Sequence, residues 1–200
     1  MSTQSSHYDP PVIPKHINTS IITAFDRNGL IGNTAHQDNF GMPWEKISAD
    51  MRHFRELTMG KPLIMGRKTY DYFGGKPLPG RATIVLSHQW DIERDGVAMA
   101  ESVEGALAPA KVLALQNGVS EVMIGGGATV YREFLPHTDR LYLTFIDSEF
   151  EGDVRFPAVD FRYWMQVGET VEHPKGDDSP YNIMFKTFER KRLLKEPAAV

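Results

Sequence analysis

Apolar and polar positions along the 200 residues fall into two textures. Over the first two thirds, short runs of β-branched and aliphatic residues alternate with stretches whose apolar positions recur every three or four residues. These are the signatures of strand and helix. "INTSIITAF" (17–25) is a first strand, and "DRNGLIG" is a turn with a re-entry. "KPLIMG" (61–66), "ATIVLS" (82–87) and "EVMI" (121–124) are almost wholly apolar, as strands buried on both faces are. Helices are predicted over the segment from Ser48, where Met51, Phe54, Leu57 and the methyl of Thr58 fall three and four apart, and over "RKTYDYF", "SVEGALAPAKVLA" and "ATVYREFL" (128–135). The last third differs: "RLYLTFIDSEF", "FRYWMQVGET" and "YNIMFKTFER" are longer, alternating strands of antiparallel character.

Strand–helix–strand units followed by a strand-rich C-terminal third predict a single-domain α/β fold: a mixed, mainly parallel sheet of about eight strands, with an antiparallel C-terminal edge and helices on both faces. Residues 1–16 are expected to form a flexible arm, 17–190 the domain and 191–200 a tail. Ligands of such sheets bind beyond the carboxyl ends of the strands.

Composition narrows the partners. Apolar residues make up 41% and charged residues 24%, ordinary for a globular protein, and 22 basic against 26 acidic residues give a net charge of −4. No basic field invites nucleic acid. The absence of cysteine removes disulfides, thiolate metal sites and cysteine nucleophiles, and suits a reducing cytoplasm. No apolar run approaches the roughly 20 residues of a membrane span, so no membrane partner is expected. The polar start "MSTQSSHYDPPVIPKH" does not have the pattern of a signal peptide. The seven histidines show no metal-ligand spacing, so no metal is assigned.

Three places carry candidate chemistry. Asp50 lies on the apolar stripe of the helix after Ser48, one turn before Phe54, so its carboxylate is aimed toward the core. With Ser48 as N-cap it is also a first-turn acid favoured by the helix dipole, and the stripe alone does not decide between these readings. At "LIMGRKTY" a buried strand passes through Gly66 into Arg67, Lys68 and Thr69 at a helix start: two cations, a hydroxyl and free backbone N–H groups for a phosphate, or a solvated basic pair. At "VMIGGGATVY" a strand meets three glycines and then a helix, a close approach for a ligand or a tight turn. The GxGxxG fingerprint is absent. Together the two turns suit separate ends of a dinucleotide, with Ser87 and His88 adding contacts at the adenosine end and Arg67 and Lys68 favouring NADP over NAD.

In combination the motifs resemble dihydrofolate reductase. "LIGNTAHQDNFGMPW" is similar to that family's active-site loop, Asp50 falls where the family keeps its acid, and "KPLIMGRKTY", "PLPGR", "IVLS", "VMIGGGATVYREFL" and "LYLTFID…EGDVRFP" follow in the family's order, from about Ile22 to Phe188. The resemblance implies NADPH as hydride donor, dihydrofolate and antifolate-type molecules as ligands, and a monomer. It implies that Asp50 grips the pterin, helped by Thr144, by Trp44 through an ordered water, and by Met42. It places the substrate against Met51, Phe54, Leu57, Phe73, Leu78 and Gly125, with Arg81 on the glutamate tail. It places the cofactor along Ala24, Ile31, Gly32, Gly66, Arg67, Lys68, Thr69, Ser87, His88, Gly126, Gly127, Ala128, Thr129, Val130 and Tyr131, with a cis peptide at Gly126–Gly127. Taken singly, Phe54, Leu57, Phe73 and Leu78 are equally at home as core, Thr144 as a strand filler and Trp44 as loop packing.

Two departures stand out. The loop from Gly32 to Met42, with His36, Gln37 and Asp38, is longer than in short bacterial members, and Gly125 replaces a bulky aliphatic, which is expected to widen the pocket. Two rival functions keep the fold: a reductase of a pyrimidine or pterin precursor, with no need of Asp50, Trp44 or Arg81, and an NADPH-binding module without chemistry. An exposed edge strand would be a route to self-pairing.

Overall fold

The computed structural model of the chain describes residues 16–35, 39–89 and 96–191. The expected arm and tail lie outside the described residues except for His16 and Lys191, as do His36, Gln37 and Asp38. The strands are β1 (Asn18–Phe25), β2 (Leu30–Gly32), β3 (Leu63–Gly66), β4 (Thr83–Leu86), β5 (Val97–Ala100), β6 (Glu121–Ile124), β7 (Arg140–Ile146), β8 (Val154–Arg155), β9 (Trp164–His173) and β10 (Ile183–Arg190). The helices are α1 (Ser48–Thr58), α2 (Arg67–Tyr72), α3 (Val103–Gln116) and α4 (Ala128–Phe134).

Eight strands form one sheet in the order β5-β4-β3-β6-β1-β7-β10-β9, while β2 and β8 pair separately. Every pair from β5 to β7 is parallel, and β10 joins β7 and β9 antiparallel. This is the expected mixed sheet with an antiparallel C-terminal edge. The short, partly exposed "VAMA" of β5 is a strand that the sequence pattern does not predict. It sits at the sheet edge, where one-sided pairing leaves little hydrophobic signal in the sequence.

Alternation along the strands builds two apolar faces. Ile21, Ile64, Ile84 and Ile124 pack with Ala106, Ala110 and Ala114 of α3 and with Val130 and Phe134 of α4. The three alanines, four residues apart and fully buried, let α3 lie close to the sheet. Ile22, Leu63, Met65, Val85 and Met123 face the other way, against Phe54 and Leu57 of α1 and Tyr70 of α2. Each fully buried aliphatic side chain contributes on the order of 2 kcal/mol, so the sheet interior carries the stability and the strand ends are free to hold polar groups.

Both ends of the sheet do hold them. At the amino end Glu121, only 4% exposed, accepts from Ser20 Oγ, Lys61 Nζ, Arg140 Nη1 and the Tyr142 hydroxyl. Burial works to raise its carboxyl, but these donors hold it below the usual range. The carboxyl ends of β3, β4, β5, β6 and β1 open toward a single cavity.

Helix α1 starts one residue away from the expected position. Ile47 occupies the cap with extended backbone angles, no side chain caps the helix, and Ser48 is its first residue. Asp50 is thus the third residue, still in the first turn.

Candidate active site

The cavity measures about 1080 Å³, at the upper end for one small ligand and roomy enough for two. The stripe on α1 resolves into two parts. Asp50, Met51 and Phe54 face the cavity, which is why Met51 is 36% exposed although apolar. Leu57, two turns along, is partly buried against the core cluster that contains Leu63 and Tyr70 and does not line the cavity.

Asp50 is half-buried on the cavity wall, among apolar neighbours. Burial pushes its carboxyl up to about 6, opposed by a hydrogen bond from the Thr144 hydroxyl. Thr144 is itself 2% exposed, on β7 in register with Ala24 of β1 and Phe185 of β10. It supports the carboxylate from behind and does not line the cavity. Asp50 is not the cavity's sole acid, since Glu101 and Glu133 line it too, both exposed.

The two anion-ready turns form one surface instead of two separate ends. The Gly66 N–H donates to the Gly126 carbonyl at 2.7 Å, and the Gly125 N–H donates to the Ile64 carbonyl at 2.8 Å. The Gly126–Gly127 peptide is cis, and Gly126 has φ +100°. A Cβ on Gly126 would lie 2.8 Å from the Tyr131 ring, one on Gly127 3.3 Å from Thr69 Oγ1, and one on Gly66 3.0 Å from Val130. The backbone here is packed so closely against residues of α2 and α4 that a side chain at Gly126 would collide with Tyr131. Tyr131 is fixed by its hydroxyl, which donates to the Ile22 carbonyl at 2.8 Å. Burial raises its pKa, countered by a hydrogen bond with Thr23 and reinforced by the charge of Asp50.

The cavity mouth near α1 is cationic. Arg81 donates from Nη1 to Thr58 Oγ1 at 3.1 Å and from Nε to the Pro79 carbonyl at 3.2 Å. Thr58 is fully buried and donates to the Phe54 carbonyl at 2.7 Å. Burial, and then the neighbouring Arg55 charge, lower the Arg81 pKa. Across the cavity, the segment after β2 is tied to Gly41 and to the residue before β8. The Asn33 N–H donates to the Gly41 carbonyl at 3.0 Å, and Asp153 accepts from both the backbone and the hydroxyl of Thr34.

A sequence profile described as dihydrofolate reductase matches residues 18–190. The chain belongs to the dihydrofolate reductase family. It is 41% identical to the type 3 dihydrofolate reductase of Salmonella typhimurium, over 86% of this chain and 98% of that protein. It is 37% identical to the Bacillus subtilis dihydrofolate reductase, over 88% and 96% of the two chains. A solved structure of dihydrofolate reductase from Enterococcus faecalis, complexed with NADP(H) and RAB-propyl, superposes with a TM-score of 0.72 at 34% identity, covering 88% of this chain and 97% of that one.

Most residues expected from the family meet at this one cavity. Met42, Trp44, Asp50, Met51, Phe54, Phe73, Leu78, Arg81 and Gly125 line one part, and Ala24, Ile31, Gly32, Gly66, Arg67, Lys68, Thr69, Ser87, His88, Gly127, Ala128, Thr129, Val130 and Tyr131 the rest. Leu57, Thr144 and Gly126 are the exceptions. At Gly125 a Cβ would lie 3.1 Å from Leu63 Cδ1, so Leu63 occupies part of the space that the missing side chain is expected to leave open. The sequence reading misses Thr34, Arg55, Tyr72, Glu101, Ser102 and Val154, all on the cavity wall. The Tyr72 ring packs on Gly41, where a Cβ would lie 2.7 Å from it and the φ of +73° favours glycine.

Proposed function

We propose that this chain reduces 7,8-dihydrofolate to 5,6,7,8-tetrahydrofolate with NADPH, adding a hydride to C6 and a proton to N5 of the pterin. The observation that carries this reading is Asp50: a carboxylate on an otherwise apolar wall, raised to about 6 and backed by a buried hydroxyl, beside the glycine turn. In such surroundings an ionised carboxylate forms strong paired hydrogen bonds, and the 2-amino group and ring N–H of a pterin present a matching edge. Its charge raises the proton affinity of the bound heterocycle. Because the carboxylate holds the edge away from N5, the proton reaches N5 through water. Trp44, 4% exposed and packed on Phe150 at 5.7 Å, orders that part of the wall.

Phe54 and Phe73, stacked at 6.4 Å between ring centres, and Leu78 offer an apolar slot for the aminobenzoyl group. Arg81, held by Thr58 and Pro79, meets the α-carboxylate of the glutamate tail. Gly66, Gly127 and the starts of α2 and α4, all on the cavity wall, suit the phosphates of a nicotinamide dinucleotide. The nicotinamide, when bound, supplies the hydride. Ala24, Ile31 and Tyr131 position its ring, and Phe40 and Met42 on the cavity wall help exclude water. Residues 17–190 act as one catalytic domain, a monomer as the family resemblance implies, and the net charge of −4 and lack of cysteine fit a cytoplasmic protein without nucleic acid partners. Among the described residues no helix is long and apolar enough to cross a membrane.

The test follows the near-ultraviolet absorbance of NADPH with dihydrofolate, for wild type and Asp50→Asn. Rapid oxidation abolished by the substitution supports the reading. Oxidation only with another substrate points to the precursor reductase, and binding without oxidation to the non-catalytic module.

A further inference from the structure

Two large apolar side chains on the cavity wall are exposed, Met51 at 36% and Phe40 at 40%. Among the described residues Phe40 is also the one non-glycine residue with a positive φ. At φ +60° and ψ +26° it occupies the left-handed region, which a bulky residue rarely adopts. The residue after it is firmly held: Gly41 packs on the Tyr72 ring, and its carbonyl accepts from the Asn33 N–H at 3.0 Å. A strained residue persists where its surroundings fix it, and such residues cluster where ligands bind. We propose that Phe40 is a specificity residue, whose ring joins those of Phe73 and Phe54 in an aromatic wall against the aryl group carried by the pterin. The inference deepens the function proposed above and rests on it.

The three rings come from three separate elements. Phe40 belongs to the segment after β2, Phe73 is the residue that closes α2, and Phe54 lies on α1. The Phe40 and Phe73 ring centres are 5.4 Å apart at a tilt of 36°, and those of Phe73 and Phe54 are 6.4 Å apart at 20°. All three line the cavity. Phe54 lies one helical turn from Asp50, about 6 Å along the axis, so a group extending from a pterin held at Asp50 passes these rings. Phe73 covers only part of Phe40, and its remaining exposure leaves apolar area for a ligand to bury. Aromatic rings at such separations attract beyond what area alone supplies. The contact is to the aryl group and not to the heterocycle, so a pterin without an aryl group gains nothing from it.

The experiment measures kcat/KM with NADPH for dihydrofolate and for a dihydropterin that carries only a methyl group at C6, in wild type, Phe40→Ala and Phe40→Leu. Calorimetry on the same proteins gives Kd for folate and for the matching methylpterin. Phe40→Ala is expected to lower the ratio of kcat/KM for dihydrofolate to that for the methyl compound by roughly threefold to thirtyfold, through KM. The Kd ratio should change in parallel, and Phe40→Leu, which keeps apolar bulk, should lose less. Any change in water exclusion, or in the path of the segment after β2, acts on both substrates and cancels in the ratio. Unchanged ratios, or equal losses for both substrates, overturn the proposal. If wild type fails to oxidise NADPH with dihydrofolate, the enzymatic reading falls, while the Kd ratio still decides the role of Phe40.

Discussion

The hydroxyl of Thr144, on the central strand β7, hydrogen-bonds the carboxylate of Asp50 on α1 and opposes the rise that burial imposes on it. Replacing Thr144 by Val keeps the strand shape and removes the donor. Burial then acts unopposed, and the Asp50 carboxyl titrates above about 6. In the proposed reaction the ionised form grips the pterin, so the acidic limb of the kcat/KM profile for dihydrofolate should move to higher pH. A hydrogen bond to a charged group contributes about 1.5 kcal/mol, so the loss at neutral pH should be about tenfold, shrinking as pH rises. An unmoved profile would mean that Thr144 only fills the strand.

Asp50 should also reduce stability. Its folded-state carboxyl is raised from 3.8 to about 6, so the fold favours the neutral form. The penalty is absent below the unfolded value, grows as pH rises through about 6, and is constant above. A tenfold change in proton affinity is worth about 1.4 kcal/mol, and with discounting for partial exposure the penalty is about 1 to 3 kcal/mol at neutral pH. Asp50→Asn should therefore melt at a higher temperature than wild type near pH 7.5, with the gap closing toward pH 4, while activity falls by roughly two to four orders of magnitude. Thermal melts across that range decide it.

Those two residues show how far pattern reasoning reaches. Runs such as "LIMG", "TIVL" and "EVMI" are legible because a strand buried on both faces must be apolar throughout. The orientation of Asp50 is legible because helical periodicity sets direction around the axis. Periodicity does not say how far along the axis the cavity extends. Leu57 lies about 10 Å beyond Asp50 at 1.5 Å per residue, which carries it past the cavity to the edge of the core. Alternation along β7 assigns Thr144 a face, but only the folded sheet sets it behind α1. Glu101 reads in sequence as an acid before a helix start. Its place on the cavity wall depends on the pairing of β5 with β4, which the short, exposed "VAMA" does not signal.

Arg81 is positioned by a residue with no contact to the cavity. Its Nη1 donates to Thr58 Oγ1, which is oriented by its own bond to the Phe54 carbonyl. Arg81→Lys keeps the charge and loses the planar fork, so KM for dihydrofolate should rise roughly 10- to 100-fold with kcat changed far less. Thr58→Val should raise KM roughly threefold to tenfold through the same route. The double variant should be no worse than Arg81→Lys alone, and a substrate lacking the glutamate tail should be insensitive to both. Additive losses in the double variant would separate the two residues.

Asp153 holds the segment that follows β2. Its two carboxylate oxygens accept from the Thr34 N–H and hydroxyl, while the Asn33 side chain donates to the Glu151 carbonyl at 3.1 Å. Ile31 and Gly32, just before these contacts, line the cavity on the side proposed for the cofactor. Asp153→Ala frees the segment without touching the core, so the melting temperature should barely move while the Kd for NADPH rises roughly threefold to thirtyfold, more than KM for dihydrofolate. The pH dependence distinguishes this effect from that of Asp50. The hydrogen bonds from Thr34, the hydroxyl first and then the N–H, hold the Asp153 carboxyl below its ordinary value. Its contribution is therefore complete above the usual carboxylate range and fades only in stronger acid. Between pH 5 and 9 the ratio of wild type to Asp153→Ala should stay flat, whereas any effect routed through Asp50 must change near pH 6. A ratio that bends there would assign the loss to the carboxylate on α1 and not to the loop.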